Sequence, residues 1–283
     1  MKFGVYHLIW APPLNDAEFP ALVERARRAG AEVLEIAASR DPFPIHAGRA
    51  RRVLQDAGLE GTLVTTVSPE QDIGSEDPSA RRRGEEHLAR YLGTAEDLGS
   101  AILAGPLYGP VWNPALLSAQ ERASRWGRCV ESLARLGERA QNHGVRIAIE
   151  PLSRFHTSFL NTTADGLRLV EEVGHPAVGL LLDTFQMNIE EKRLGDAIRR
   201  SGRRLFHLHA SENDRGTPGS GHVDWEAVRD ALRETGYDGR IVIEAFNPEV
   251  PQLAEFLKVW RPLETDQDTL AREGLRFLRA LFA

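Results

Sequence analysis

The sequence predicts an α/β protein folded as a single closed (β/α)8 barrel, the TIM-barrel fold. Short β-rich runs alternate with longer helical segments eight times along the 283 residues. Several runs, such as Val-Gly-Leu-Leu-Leu-Asp, stay apolar up to one final polar residue, which is typical of parallel strands covered on both faces. Eight such units fit the usual barrel size of about 250 residues. No segment resembles an interdomain linker, so we expect residues 1–283 to form one domain.

The predicted elements follow one another in strict βα order. The strands are Phe3 to His7, Val33 to Ala37, Thr62 to Thr66, Ile102 to Gly105, Arg146 to Glu150, Gly179 to Asp183, Leu205 to His209 and Ile241 to Ala245. The helices lie near 16–30, 46–57, 78–99, 114–143, 163–174, 190–200, 224–235 and 267–282. The alternative is an open doubly wound sheet, but residues 5–10 contain no glycine and therefore no Gly-rich dinucleotide fingerprint.

Composition and charge narrow the range of functions. The formal net charge of -6 disfavours nucleic acid and anionic membranes as partners, since both are bound through clustered Lys and Arg. Cys129 is the only cysteine, which rules out an intrachain disulfide and a cysteine metal cluster and favours a reducing, cytoplasmic setting. We find neither a secretory leader nor a run of about 20 apolar residues. We therefore expect a cytoplasmic protein.

Four consecutive predicted strands end in a side chain that can bind a metal. These residues are Glu150, Asp183, His209 and Glu244, each about one βα repeat after the last. In a barrel all four would meet at the C-terminal rim. An acidic residue at a strand end often only caps the next helix, but this reading does not explain four in succession. Three carboxylates and one imidazole favour one divalent ion such as Mn²⁺, Mg²⁺ or Co²⁺, and zinc stays open.

A second histidine, His207, lies two residues before His209 on the same predicted strand. In His207-Leu208-His209 the strand period of two directs both imidazoles to the same face. We assign His209, nearer the C-terminal rim, to the metal. His207 is interpreted as a packing residue or as a partner that orients the ligands.

The second half of the chain resembles the sugar isomerases and epimerases of the xylose-isomerase-like superfamily, particularly the ketose 3-epimerases such as D-tagatose and D-allulose 3-epimerases. The resemblance is densest from Ile147 to Phe246 and is weaker before it, as at Glu35 and Gly105-Pro-Leu-Tyr108. It rests on Ile-Glu150-Pro-Leu-Ser-Arg154-Phe with Asn161-Thr, Leu-Asp183-Thr-Phe-Gln-Met-Asn188-Ile-Glu-Glu191, His207-Leu-His209-Ala-Ser-Glu-Asn213-Asp-Arg215-Gly with Gly219-Ser-Gly-His222, and Ile-Glu244-Ala-Phe246.

The resemblance implies a role for each matching residue. The metal, Mn²⁺ in the first place, would be held by Glu150, Asp183, His209 and Glu244. The first and last of these would also act as the catalytic acid/base pair on opposite faces of the substrate. Arg215 is similar to the residue that grips a substrate hydroxyl, and Trp112 and Phe246 resemble the aromatic walls of the sugar pocket. The alternative is a surface salt bridge for the arginine and ordinary core packing for the two aromatics.

Two positions depart from the family pattern. The chain has His156 where the family usually has Glu, and Gln186 where it usually has His. In the family these positions lie together and contact the carbonyl end of the ketose. The exchange preserves hydrogen-bonding capacity and alters charge. Only His156 can titrate near neutral pH, so a proton shuttle at this end would depend on it.

The reaction that the resemblance implies is C3 epimerisation of a free ketose through a metal-bound enediolate. Aldose–ketose isomerisation shares that intermediate, so the ligands alone do not separate the two reactions. The main alternative is a lyase, hydratase or deglycosidase acting on a 3-keto sugar or glycoside. A metal-dependent nuclease and a non-catalytic sugar-binding barrel are further alternatives. The implied partner is a small sugar, and the segment Val250 to Pro262 is a candidate contact for a homodimer or homotetramer.

Overall fold

The computed structural model describes residues 1–11, 14–38, 42–112 and 116–283, and its eight parallel strands close into one barrel in sequence order. This confirms the predicted fold class. The strands are β1 (Lys2–Tyr6), β2 (Val33–Ala37), β3 (Glu60–Val64), β4 (Ile102–Gly105), β5 (Arg146–Ile149), β6 (Val178–Asp183), β7 (Leu205–Ala210) and β8 (Arg240–Ile243). In the described ranges, no helix is both long enough and apolar enough to cross a membrane.

The helices surround the barrel and mostly match the predicted segments. They are α1 (Phe19–Ala29), α2 (Ala47–Asp56), α3 (Pro78–Leu98), α4 (Ala119–Asn142), α5 (Thr163–Val173), α6 (Thr184–Glu190), α7 (Leu194–Ser201), α8 (Trp225–Glu234), α9 (Pro251–Leu257) and α10 (Gln267–Phe282). A helix was predicted from 114 to 143, and residues 114 and 115 of that range lie outside the described residues. A capping box formed by Ser118 and Glu121 sets the observed start of α4.

Two short helices were missed by the sequence prediction. α6 begins directly after β6 because the Asp183 carboxylate accepts a hydrogen bond from the Phe185 amide and so caps the helix. The predicted helix at 190–200 is consequently wrong at its start, since α7 begins only at Leu194. α9 begins at Val250-Pro251, where proline at the first helical position favours a helix that seven residues are too few to signal by periodicity.

The alternation of side chains along the strands divides the core into layers. Outward-facing residues such as Leu34, Ile147 and Leu208 pack beneath the helices in one large apolar cluster. Inward-facing residues fill the barrel, where Ile102, Leu181 and neighbours form a plug that also includes Val64, Ala104, Ala148 and Phe206. The polar residues of the candidate site lie on the inward face, nearer the C-terminal ends of the strands.

An irregularity between β6 and β7 determines which residues face inward. Leu180 pairs with Leu205, but the next residue, Leu181, pairs with His207, so β7 contains one extra residue, Phe206. This β-bulge brings Asp183 opposite His209. Because side chains alternate with a period of two, the bulge allows Phe206 to plug the barrel while both histidines of β7 still face its interior.

The glycine that ends β4 has a conformation that other residues rarely adopt, and it supports the site directly. Gly105 has φ +124°, and a Cβ there would lie 2.2 Å from the Thr65 carbonyl oxygen. Its own carbonyl accepts the Glu150 amide at 3.0 Å. We predict that Gly105→Ala lowers the free energy of unfolding by roughly 2–4 kcal/mol.

The matched control is Gly127→Ala in α4, where a Cβ would meet nothing within 4 Å. This helical substitution should raise the free energy of unfolding by up to about 1 kcal/mol. Both variants are measured by urea denaturation. Equal effects of the two substitutions would contradict the strain assigned to Gly105.

Candidate active site

The structure places the four predicted metal-binding side chains at the C-terminal rim and brings three of them, Glu150, His209 and Glu244, into one cluster that Asp183 does not join directly. Glu150 and Glu244 directly follow β5 and β8, Asp183 ends β6, and His209 is the penultimate residue of β7. Ligand atoms of Glu150, His209 and Glu244 all lie within 4.8 Å of one another. All four side chains are buried, with at most 8% of any residue exposed. The barrel therefore concentrates three carboxyl groups and one imidazole in a small, nearly dry space.

Asp183 is connected to this group through Arg215. One guanidinium nitrogen, Nη1, lies 2.6 Å from Glu244 Oε2 and 2.9 Å from Asp183 Oδ2. The same nitrogen donates to Ser211 Oγ at 2.7 Å. An Nη1 group carries two protons, so it cannot satisfy all three oxygens at once. Arg215 thus supplies positive charge to the carboxylates without completing their hydrogen bonds.

A second possible metal-ligand group, Glu35, His207 and His209, lies deeper in the barrel. The Nε2 atoms of His207 and His209 lie 2.7 and 2.6 Å from the two oxygens of Glu35. Thr62 Oγ1 also donates to this carboxylate, at 3.0 Å. These distances are those of hydrogen bonds, with a proton in the place that an ion would need. We interpret this deeper group as a support for the upper one.

The sequence interpretation undervalued Glu35. It entered only as part of the weaker N-terminal resemblance, although a glutamate inside the apolar run Val33–Ala37 was itself a signal of a buried polar contact. Because Glu35 binds His209 Nε2, the other ring nitrogen, Nδ1, faces Glu244 Oε2 at 3.4 Å. A carboxylate that fixes one nitrogen of a histidine and leaves the other for a metal is a common arrangement in metal sites.

Burial and mutual charge set the protonation of the site. Burial raises the pKa of Glu150 well above its ordinary value, and the negative charge of Glu244 adds to the effect. Burial would also raise the pKa of Glu244, but Arg215 and His209 outweigh it and lower that pKa to about 2. Burial opposes a charge on His209, yet Glu244 and Glu35 raise its pKa well above its ordinary value. Positive charge from Arg215 and a proton on His209 thus balance the carboxylates.

The donor set fits a divalent cation. Asp183 Oδ2 and His209 Nδ1 are buried and face charged neighbours, Arg215 and Glu244, but neither atom makes a hydrogen bond of good geometry within the described part of the chain. Such atoms are rare in native proteins and call for an explanation such as a bound ion. Ligands lie about 2.0–2.2 Å from a divalent ion, so opposite ligands are up to about 4.4 Å apart, which is compatible with ligand atoms that all lie within 4.8 Å of one another. An ion would also relieve the repulsion between the carboxylates.

A cavity of about 780 Å³ adjoins this group at Arg215, which lines the cavity and contacts Asp183 and Glu244. Four of the predicted substrate contacts line it: Trp112, His156, Arg215 and Phe246. The walls also contain apolar side chains that were not predicted to contact substrate, namely Phe155, Phe185, Ile189, Leu257, Val259, Trp260 and Leu263. An apolar pocket with a few convergent polar groups at its base is typical of a small-molecule site.

The two residues that depart from the family pattern, His156 and Gln186, are linked through Ser153. Ser153 Oγ lies 2.9 Å from His156 Nδ1, and the Ser153 amide donates to Gln186 Oε1 at 2.9 Å. The Trp112 ring packs edge-on against the imidazole, with ring centroids 4.0 Å apart. Burial, and then the charge of Arg215, lower the pKa of His156 to about 4. This end of the cavity is therefore uncharged at neutral pH.

The depressed pKa of His156 predicts an acid-sensitive fold. The unfolded chain takes up this proton near pH 6.5 and the native protein only near pH 4, so the stability contributed by the neutral imidazole is lost as pH falls through this window. His156→Gln should reduce the slope of unfolding free energy against pH by up to about 1.4 kcal/mol per pH unit. Urea denaturation from pH 4 to 7 measures this slope, with the exposed His222→Gln as a control that should not change it.

Comparison with known proteins agrees with this geometry. Residues 23–281 match the family model described as xylose isomerase-like TIM barrel. The chain is 33% identical over 278 residues to the D-psicose 3-epimerase of Ruminiclostridium cellulolyticum, which covers 97% of this chain and 94% of that protein.

Solved structures show the same relationship. A structure of L-ribulose 3-epimerase matches with a TM-score of 0.93 and 31% identity, covering 99% of this chain and 94% of the other. D-allulose 3-epimerase from Methylomonas sp. in complex with D-allulose matches with a TM-score of 0.91 and 32% identity, covering 99% and 96%. Similarity of this extent to named epimerases makes the chain an enzyme of the isomerase class. From the family match and the closed barrel together, the chain belongs to the xylose isomerase-like TIM barrel family.

Proposed function

We propose that this protein is a divalent-metal-dependent ketose 3-epimerase. The observation that carries the proposal is the pair of buried glutamates, Glu150 and Glu244. Their ligand atoms lie within 4.8 Å of one another and of a His209 ring nitrogen, and Arg215 joins Glu244 to a largely apolar cavity. Two carboxyl groups within one such cluster are the minimum that a two-base epimerisation requires, because one group must remove a proton and the other must return one.

The surrounding residues hold the two glutamates in different ways. The Glu150 amide donates to the Gly105 carbonyl at 3.0 Å, which fixes the chain immediately after β5. The Glu244 carboxylate is oriented by Arg215 and by His209. In the proposed reaction, one glutamate removes the C3 proton of an open-chain ketose and the other delivers a proton to the opposite face, inverting C3.

The residues that would hold the metal are Glu150, Asp183, His209 and Glu244, and Mn²⁺ is the ion we propose first. When bound, a divalent ion would supply Lewis-acid polarisation of the substrate carbonyl and so make the neighbouring C–H more acidic. Glu35 would keep the His209 ring fixed with Nδ1 directed towards the cluster.

The cavity residues would orient the sugar and exclude water. Arg215, whose guanidinium carbon lies 4.0 Å from the centre of the Phe185 ring, would bind a substrate hydroxyl. Trp112 and Phe246 would form apolar walls, and His156 would contact the carbonyl end of the ketose through an uncharged hydrogen bond. Gln186 is linked to His156 through Ser153 but does not line the cavity, so its proposed contact with the ketose requires the substrate to reach past Ser153. A site without water slows the loss of a reactive carbanion-like species to side reactions.

Epimerisation is favoured over elimination because the similar proteins named above are all 3-epimerases. The test incubates Mn²⁺-loaded protein with a panel of free ketoses and a 3-keto-glycoside in D2O and follows deuterium by NMR. We expect deuterium at C3 together with the inverted ketose. Turnover of only the 3-keto-glycoside would overturn the proposal and support the elimination alternative.

We also propose that the chain self-associates through the segment Val250 to Pro262. Two of its aromatic side chains, Phe256 and Trp260, are 52% and 70% exposed, which is unusual for rings of this size. Light scattering during gel filtration would test this. Trp260→Glu should lower the measured mass if the segment forms the contact, and an unchanged mass would place the contact elsewhere.

A further inference from the structure

The loop between β7 and α8 contains a buried carboxylate that takes no part in the proposed chemistry. Glu212 is 0% exposed and does not line the cavity. It forms no ion pair with any Lys, Arg or His in residues 1–11, 14–38, 42–112 and 116–283. A charge buried in this way costs several kcal/mol unless hydrogen bonds compensate it.

Four N–H groups compensate the charge of Glu212. The amides of Asn213 and Val223 donate to Oε1 at 3.2 and 3.0 Å. The Gly219 amide and the Trp225 indole Nε1 donate to Oε2 at 2.8 and 2.9 Å. Each oxygen thus accepts two bonds, which uses the full acceptor capacity of an ionised carboxylate. A glutamine would present an NH2 group to two N–H donors and could not replace it.

These bonds connect the two halves of the loop around Arg215. Asn213 lies before the arginine, whereas Gly219, Val223 and Trp225 lie after it. The Arg215 amide also donates to the Glu212 carbonyl at 3.0 Å. Arg215 has φ +68°, a left-handed conformation that costs about 1 kcal/mol or more for a residue other than glycine and persists only where the surroundings impose it. The packing is tight, since a Cβ on Gly221 would lie 2.7 Å from Glu212 Oε1.

We propose that Glu212 is a positioning residue that holds the β7–α8 loop in the one conformation that places the Arg215 guanidinium over Asp183 and Glu244. This inference rests on the proposed function, because it assigns Arg215 to substrate binding. Without the four hydrogen bonds to Glu212, the loop would lose the contacts that impose the left-handed backbone at Arg215. The guanidinium would then move away from Asp183 and Glu244. Substrate binding should weaken while the barrel itself stays folded.

The test compares Glu212→Gln and Trp225→Phe with two matched controls on the outside of the barrel. Trp126 Nε1 donates to Glu172 at 2.6 Å in the same type of contact. Glu172→Gln and Trp126→Phe therefore remove the same groups far from the loop. Trp225→Phe deletes one of the four bonds and keeps an aromatic ring, so it remains informative if Glu212→Gln does not fold.

Two readouts separate positioning from general stability. Hydrogen exchange of the amides in residues 213–225 needs no substrate. We expect at least tenfold faster exchange in both loop variants and no change there in the controls. In steady-state assays with the ketose that the wild type turns over best, Glu212→Gln should raise KM roughly tenfold or more with a smaller change in kcat.

A double-mutant cycle with Arg215→Ala completes the test. If Glu212 acts through Arg215, adding Glu212→Gln to Arg215→Ala should change kcat/KM by less than about twofold. Additive losses, or a loop that stays protected in Glu212→Gln, would overturn the positioning role. A wild-type protein that epimerises no ketose would refute the proposed function. The hydrogen-exchange result would then test by itself whether Glu212 fixes the conformation of the loop.

Discussion

Replacing Glu150 with glutamine should lower kcat for C3 epimerisation by about 10³-fold. The amide has nearly the same shape as the carboxyl group but cannot accept or deliver the proton. Glu150 is buried beside Glu244, so bulk water cannot easily take over its role. Deuterium incorporation at C3 from D2O should fall in parallel with kcat, because both require the same proton transfer. The assay is run at saturating Mn²⁺, with bound metal measured by elemental analysis.

The matched control is Glu171→Gln on the exposed face of α5, which removes one negative charge far from the rim. Its kcat should equal that of the wild type. A Glu150→Gln variant that binds Mn²⁺ and retains more than a tenth of the wild-type kcat would remove Glu150 from the acid/base pair.

Removal of metal by a chelator should reduce epimerase activity at least 100-fold, and added Mn²⁺ should restore it. The same ion should stabilise the fold, because it binds only the assembled rim. At a concentration 100 times its dissociation constant it would add about 2.7 kcal/mol to the free energy of unfolding. For a domain of 283 residues that corresponds to an increase in Tm of roughly 4–6 °C.

The variant His209→Ala tests whether the metal-dependent activity and the metal-dependent increase in Tm both arise from the cluster of Glu150, His209 and Glu244. It removes the one imidazole whose Nδ1 faces Glu244 and should abolish the increase in Tm with Mn²⁺. His222→Ala, at an exposed position of the β7–α8 loop, serves as the control and should retain the increase. If Mn²⁺, Mg²⁺, Co²⁺ and Zn²⁺ all leave the wild-type Tm unchanged, the site does not hold a metal.

The sequence predicted the barrel and the placement of Glu150, Asp183, His209 and Glu244 at one rim because both depend on a repeat that is visible in one dimension. Each βα unit returns the chain to the same rim, so residues at equivalent strand ends must converge. The strand bounds were less accurate. Glu150 and Glu244 lie one residue beyond β5 and β8, a difference that leaves their placement at the rim unchanged.

Contacts across the barrel could not be predicted in the same way. Glu35 on β2 reaches His207 and His209 on β7, and no periodicity of the sequence relates these strands. Their contact depends on the radius of the barrel and on the bulge at Phe206. The position of Arg215 likewise depends on a left-handed backbone conformation that the sequence does not announce, since nothing in the residue type favours it.

The sequence showed that His156 and Gln186 depart from the family pattern, but only the structure shows which contacts the two side chains make. Ser153 holds both side chains, and burial together with Arg215 keeps the imidazole neutral. With a pKa of about 4, His156 is a neutral and weak base near pH 7, and the expectation that a proton shuttle at this end would depend on it stays a prediction.

The extra residue in β7 makes the register of that strand as important as its composition. Paired evenly with β6 and without the bulge, the same residues would place Phe206 opposite Leu181 and Leu208 opposite Asp183, and both imidazoles would turn outward, beneath the helices. Glu35 would then remain as an unpaired charge in the middle of the barrel. Homologous barrels can vary their loops freely, but a shift of one residue in this register would separate the residues of the candidate site and destabilise the interior at once.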